Sequence, residues 1–157
     1  MMHDELAQTV LRAAEAGQVA DRISLDYEAR FLRRKVLTAD GGTRVLVDLE
    51  STTSLEDGDV LACDSGARIA VRAAPEPLLR VTGPNLARLA WHIGNRHTPC
   101  QVGDDHLLIR NDPVIAHMLG HVGAALEEIT APFTPEGGAY GHGRTHSHEH
   151  VATAHEH

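Results

Sequence analysis

The residues Pro75-Glu76-Pro77 separate two parts of the chain that have different hydrophobic patterns. Two prolines within three residues favour an extended, semi-rigid connection. Over residues 21–75, polar and apolar residues alternate in short runs, which are divided by Asp-Gly-type turns at 40–42, 56–59 and 64–66. Short alternating strands with such turns predict a small antiparallel β domain.

The second part, residues 76–140, mixes strand and helix signals. The pattern predicts strands at 78–81, 101–102, 106–109 and 126–129, with helices beginning at 83–84 and 112–113. The resulting order, β-α-β-β-α-β, is that of the ferredoxin-like split motif. We therefore expect an α+β protein with two small domains.

The first twenty residues show a third pattern. Leu6, Val10, Leu11 and Ala14 recur at helical spacing, and Gly17 is a suitable stop. This predicts a short helical extension over residues 1–20, ahead of the β-rich domain.

The last segment, residues 141–157, holds half of the chain's twelve histidines and almost nothing apolar to bury. Such a composition predicts a flexible arm outside the folded domains. Neutral imidazole binds borderline transition metals near neutral pH, since its unperturbed pKa is about 6.5. An uninterrupted run would suggest a cloning tag, whereas these histidines are interspersed with other residues. The predicted metal ligands of this arm are His142, His146, His148, His150, His155 and His157.

Charge and composition argue against several classes of protein. The net charge of −8 does not suit a nucleic-acid-binding surface, and it repels anionic membranes. No run approaches the roughly 18 apolar residues of a membrane helix, and the N-terminus lacks a signal-peptide pattern. Two cysteines outside any CxxC pair indicate a reducing, cytoplasmic location.

His97 follows the first helix of the second part and continues that helix's apolar stripe past Gly94. By position alone, a histidine at the rim of an apolar face is more often structural than a metal ligand. Cys100 forms an H-x-x-C pair with His97, so a thiolate ligand is one interpretation. The other, which we favour, is a small buried side chain.

Two segments resemble a known family. Gly94-Asn95-Arg96-His97, followed by Thr98-Pro99-Cys100-Gln101, is similar to the GNRH-x-P-x-Q signature of UreE, the urease accessory nickel metallochaperones. The segment from Ala131 to Tyr140 resembles the family's APFEPEGGAY motif, which also precedes a His-rich tail. The resemblance covers residues 20–157, so the first twenty residues are expected to lie outside the family core.

The resemblance implies a peptide-binding-like first domain and a metal-binding second domain that forms a homodimer. It implies that His97 from each subunit holds one Ni²⁺ ion, and that tail histidines complete or feed this site. The implied partners are the urease apoprotein complex and its accessory GTPase. Some relatives carry further ligand histidines where Asn111 and Pro113 stand here, so those auxiliary sites are not expected.

Two further patterns allow two interpretations each. His117 and His121 have the i, i+4 spacing that can chelate a divalent ion, but we favour a solvated surface pair. The basic run 30–35 is typical of a solvated strand face, and it could instead dock an acidic partner surface.

The leading hypothesis is thus a non-enzymatic nickel chaperone for urease metallocentre assembly. A general Ni²⁺, Zn²⁺ or Cu²⁺ buffer or storage protein is the alternative, because imidazole sites also bind Zn²⁺ and Cu²⁺ well. A small metal-dependent hydrolase is more distant, since no HExxH motif is present.

Overall fold

The structure is a computed structural model that describes residues 3–13 and 17–137. It is strand-rich and of the α+β class, and it divides into two compact units between Ala74 and Pro75. Each unit has its own apolar core.

The first unit contains one six-stranded sheet with the order β2-β6-β5-β1-β4-β3. Its strands are β1 (Glu5–Leu11), β2 (Asp21–Leu25), β3 (Phe31–Thr38), β4 (Arg44–Ser54), β5 (Val60–Cys63) and β6 (Arg68–Ala73). The hairpins β3–β4 and β5–β6 have their turns at the predicted positions, and Gly42 and Gly66 in these turns both have φ +96°. These glycines adopt the left-handed backbone region that side chains disfavour.

The predicted N-terminal helix is wrong. Residues 5–11 form β1, which lies between β4 and β5 in the sheet. The pairing of β1 with β5 shifts register between Ala7 and Thr9, a β-bulge that adds one residue to the strand. The bulge breaks the period-two alternation, so apolar residues at 6–7 and 10–11 acquire a spacing of four that imitates a helix.

The prediction of a purely antiparallel first domain also needs correction. β1 pairs in parallel with β4, and β2 pairs in parallel with β6, while the remaining pairs are antiparallel. Side-chain alternation reports which face of a strand is buried, but it carries no information on the direction of the neighbouring strand. Only strands joined by a short turn have a direction that the sequence dictates.

The basic run divides between the interior and the surface. Arg30 is 2% exposed, and its guanidinium donates to the carbonyls of Leu25 (2.9 Å) and Leu55 (3.2 Å). Residues 33–35 are exposed on β3, an edge strand. Residues 33–35 are thus exposed, as both interpretations of the run require, whereas Arg30 is a structural residue.

The second unit has a four-stranded antiparallel sheet with the order β10-β7-β9-β8. Its elements are β7 (Pro75–Thr82), α1 (Leu86–Asn95), β8 (Gln101–Val102), β9 (Leu107–Arg110), α2 (Pro113–His121) and β10 (Ala125–Pro132). Their order along the chain is β-α-β-β-α-β. Pro75 and Pro77 belong to β7 rather than to a linker. At these two residues β7 pairs with β10 on one side, and its pairing with β9 begins only at Leu78. A proline without an N–H is tolerated where one side of a strand has no partner.

Both helices begin at a side-chain cap. The Asn85 side chain accepts from the Arg88 N–H at 3.1 Å, so α1 starts after Pro84 rather than at it. The Asp112 carboxylate accepts from Val114 and Ile115, with Pro113 at the first helical position of α2 as predicted. The two helices bury Leu89, Ile93, Ile115 and Leu119 in the same core as β7 and β9.

Within the described ranges, no helix is long and apolar enough to cross a membrane.

Candidate metal centre at the end of α1

His97 lies at the C-terminal end of α1 in an uncommon backbone conformation. Its φ is +55°, and no other non-glycine residue among those that the structure describes has a positive φ. Arg96 caps the helix, the His97 N–H donates to Gly94 O at 2.9 Å, and the Thr98 N–H donates to Ile93 O at 3.3 Å. This is the Schellman pattern, in which the left-handed position is usually glycine. The predicted helix end at Gly94 is therefore one residue too early, since α1 continues to Asn95.

The conformation of His97 has an energetic cost. A side chain in the left-handed region costs roughly 1–2 kcal/mol relative to the right-handed one. Such strain is found disproportionately at functional sites. His97 is exposed, so its conformation places an imidazole at the protein surface, at a backbone position that hydrogen bonds fix.

The two segments that carry the family resemblance lie against each other. The Thr134 N–H donates to Gln101 Oε1, and the Glu136 N–H donates to Cys100 O, both at 2.9 Å. Phe133, between β10 and these contacts, is fully buried. Thr134 and Glu136 are thereby held at Gln101 and Cys100, which lie four and three residues after His97 along the chain. No spacing or periodicity in the sequence predicted this contact, although Gln101 belongs to one of the two motifs, and Thr134 and Glu136 belong to the other.

Cys100 is half-buried and packs against the core of the second unit. Burial, with a smaller contribution from the Glu136 carboxylate, raises the pKa of its thiol to about 11. A thiol of this kind is protonated at neutral pH, and a metal ion would have to displace that proton. The structure therefore favours the interpretation of Cys100 as a packed side chain.

The other described histidines of the second unit differ in their surroundings. His92 is half-buried, with its ring edge-on to Trp91 at 5.1 Å between centroids. The His106 Nδ1 lies 2.7 Å from Asp105 Oδ1, and this hydrogen bond is the main cause that lowers the pKa of the exposed Asp105 carboxyl. His117 and His121 are both exposed on α2.

Trp91 is a residue that the sequence analysis did not single out. Its side chain is 63% exposed on α1. The helical pattern contained the signal, because position 91 lies about 200° around the helix from Leu89. Trp91 is therefore an exposed aromatic side chain on the helix that ends near His97.

The predicted tail ligands, His142 to His157, lie outside the described residues. Within residues 3–13 and 17–137, no group of three His, Cys, Asp or Glu side chains converges in a way that could hold a metal ion.

Comparison with known proteins accounts for both units. Residues 5–74 match the family model of the UreE urease accessory protein, N-terminal domain, and residues 76–157 match that of its C-terminal domain. This chain belongs to the UreE family. The N-terminal UreE match begins at residue 5 and includes β1, so the expectation that the first twenty residues lie outside the family core is wrong.

Individual UreE relatives agree over most of the chain. A protein named urease accessory protein UreE from Ruegeria pomeroyi is 55% identical over 141 residues, which is 90% of this chain and 95% of the relative. UreE from Rhodobacter capsulatus is 54% identical over 144 residues, 92% of each chain. UreE from another Ruegeria species is 63% identical over 126 residues, 80% of this chain and 72% of the relative. These relatives are named as accessory proteins rather than as enzymes.

Proposed function

We propose that this protein binds Ni²⁺ as its cargo and delivers it during assembly of the urease metallocentre. The observation that carries the proposal is the juxtaposition at the end of α1. The exposed, conformationally strained imidazole of His97 lies three to four residues before Cys100 and Gln101. These two residues accept hydrogen bonds from the segment that leads to the His-rich tail. Membership of a urease accessory family makes a metal ion for urease the natural cargo.

His97 supplies one ligand, and in this proposal a second copy of the chain supplies another. Two imidazoles on a two-fold axis leave coordination positions open, which suits an ion that has to be handed on. The antiparallel sheet with two helices supports a ferredoxin-like class for the metal-binding domain. The exposed large apolar side chains of the described residues, Trp91, Val102 and Val114, all belong to this unit. Their exposure supports homodimer contacts through the second domain.

Tail histidines complete or feed this site. His142 is six residues beyond Glu136 in the sequence, and six residues of chain span at most about 22 Å. Glu136 is hydrogen-bonded to Cys100, which is three residues after His97. The Cα atoms of His97 and Cys100 therefore lie within about 11 Å of each other. Fastening the start of the tail so near His97 raises the effective concentration of tail imidazoles at the ion.

The cargo passes to protein partners by ligand exchange. We propose that these are the urease apoprotein complex and its accessory GTPase, in the cytoplasm. No chemistry at the metal is required of this protein beyond binding and release.

The test is Ni²⁺ calorimetry with native mass spectrometry on four full-length proteins. They are the unaltered chain, a chain with its six tail histidines changed to alanine, and two versions of that tail variant that also carry His97→Ala or His92→Gln. We expect the tail variant to lose several weaker sites and to keep one tightly bound ion per two chains. Adding His97→Ala should abolish that ion, whereas a matched His92→Gln change should not.

If His97→Ala left the remaining Ni²⁺ unchanged, the His97 centre would be refuted.

A second assay separates delivery from buffering. Ni²⁺-loaded protein is mixed with urease apoprotein complex, and urease activation is measured in the presence of a weak competing chelator. Equal activation by the His97→Ala and His92→Gln variants would favour a buffer.

A further inference from the structure

We propose that His117 and His121 form a second metal site, which takes a divalent transition-metal ion through two imidazole nitrogens. The site lies on α2 and uses no residue of the His97 centre, so neither proposal depends on the other.

The first argument is placement. Residues four apart on a helix are neighbours on one face. Ile115 and Leu119 of α2 are buried in the core, whereas His117 and His121 are both exposed. The pair is thus presented to solvent side by side on a nine-residue helix that a capping aspartate and the core hold in place.

The second argument is the arrangement of the rings. The two centroids are 6.4 Å apart, and the ring planes differ by 26°. Two nitrogens that bind one ion at about 2.1 Å each lie about 3 Å from one another. Near-parallel rings reach that separation by small rotations about their side-chain bonds, which exposed side chains make on a picosecond-to-nanosecond timescale.

The third argument is electrostatic. His121 is the last residue of α2, and His117 lies one turn before it. The C-terminal end of a helix carries a partial negative charge that stabilises a nearby cation. An ion between these rings would lie beside that end, so the helix favours the bound form.

Two protein ligands leave the other coordination positions to water or to an incoming ligand. Such a site binds less tightly than one with three or four protein ligands and exchanges its ion readily. Imidazole pairs prefer Cu²⁺ over Ni²⁺ and Zn²⁺. Cu²⁺ is therefore the most sensitive probe, although the site takes the whole class of ions.

The experiment uses the full-length chain with His3, His97 and all six tail histidines changed to alanine. Cu²⁺ is titrated in by calorimetry, and the bound nitrogens are counted by electron paramagnetic resonance. We expect one Cu²⁺ per chain with two imidazole ligands. His117→Gln or His121→Gln should each weaken binding at least tenfold and leave a single nitrogen, while His106→Gln should change neither quantity.

A matched control keeps the number of histidines on α2. The double change Val114→His with His117→Gln spaces the pair by seven residues, about 10 Å along the helix axis, which one ion does not bridge. Val114 is 63% exposed, so the change is compatible with folding, and circular dichroism verifies it. The proposal is overturned if this control binds as tightly as the parent, if the single changes have no effect, or if one nitrogen alone is seen.

Discussion

His97 occupies in α1 the position that Gly123 occupies in α2. Beyond each helix, the next N–H donates back to a core residue: Thr98 to Ile93 O at 3.3 Å, and Ala124 to Leu119 O at 3.0 Å. The φ angles are +55° for His97 and +93° for Gly123. Both helices of the second domain therefore end in a Schellman motif. In α2 the left-handed position holds glycine, which the motif prefers, and in α1 it holds His97.

The change His97→Gly should stabilise the protein while removing Ni²⁺ from the central site. Glycine relieves the left-handed strain, so we expect the free energy of unfolding to rise by about 1 kcal/mol. Urea unfolding followed by circular dichroism measures it as a higher midpoint at an unchanged slope.

Gly123→Ala is the matched control for that change. It introduces a side chain at the equivalent position and should lower the free energy of unfolding by about 1–2 kcal/mol. A stability loss on His97→Gly would show that the His97 side chain contributes more to the fold than its conformation costs.

Cys100 should react slowly with thiol reagents near neutral pH. Because its pKa is raised to about 11, the alkylation rate with iodoacetamide should keep rising well above pH 9. A Cys63→Ala background isolates this thiol, and Glu136→Gln should move its profile to lower pH by removing a nearby negative charge. Rapid alkylation at pH 7 would instead indicate a thiolate available to metal.

The same thiol links stability to pH. In the unfolded chain Cys100 loses its proton near its ordinary pKa of 9.0, whereas in the folded protein it keeps the proton to about 11. Its contribution to stability is therefore complete below pH 9 and is lost progressively as the pH rises towards 11. The fall should be smaller in a Cys100→Ala variant, measured by urea unfolding across that range.

Gln101→Ala should loosen the start of the tail. The change removes the side-chain oxygen that accepts from the Thr134 N–H, and a hydrogen bond of this kind contributes about 0.5–1.5 kcal/mol. We expect a loss at the lower end of that range, since Thr134 is exposed to water, together with weaker tail-dependent Ni²⁺ binding.

Gln101→Glu keeps an acceptor oxygen at the same place and serves as the control. Hydrogen exchange at the Thr134 amide reports the contact directly. Unchanged protection of that amide in Gln101→Ala would show that the contact does not fasten the segment.

Arg12→Leu should destabilise the first unit by roughly 3 kcal/mol, because it leaves a buried carboxylate without its cation. Asp59 is 2% exposed, accepts from the Arg12 guanidinium, and also accepts from the Glu56 N–H at 2.8 Å. Arg34→Leu on the exposed face of β3 is the control and should change stability by less than about 0.5 kcal/mol. Similar midpoints of thermal unfolding for the two variants would contradict this account.

Local chemistry explains which parts of the fold the sequence predicted. Gly42 and Gly66 marked real turns because their positive φ is a property of a few adjacent residues. Asp112 and Pro113 marked the start of α2 for the same reason. The placement of β1 was not predictable, because its neighbours lie more than thirty residues away and its bulge disguises the strand period.

The candidate site divides in a similar way. His97 was identified through a resemblance, since its position at the rim of an apolar stripe alone favoured a structural role. Its positive φ required the structure, because the sequence shows a histidine where the motif usually has glycine. The contacts of Gln101 and Cys100 with residues 134–136 join segments more than thirty residues apart, and no local pattern encodes them.

The position of β1 has a consequence for synthesis on the ribosome. β1 emerges early, but its partners β4 and β5 end only at Ser54 and Cys63. At about 5–20 residues per second, both edges of this strand stay unpaired for several seconds. A nascent chain that stalls before β4 is complete carries a strand with open hydrogen-bonding groups on both sides, the kind of edge that pairs with other chains.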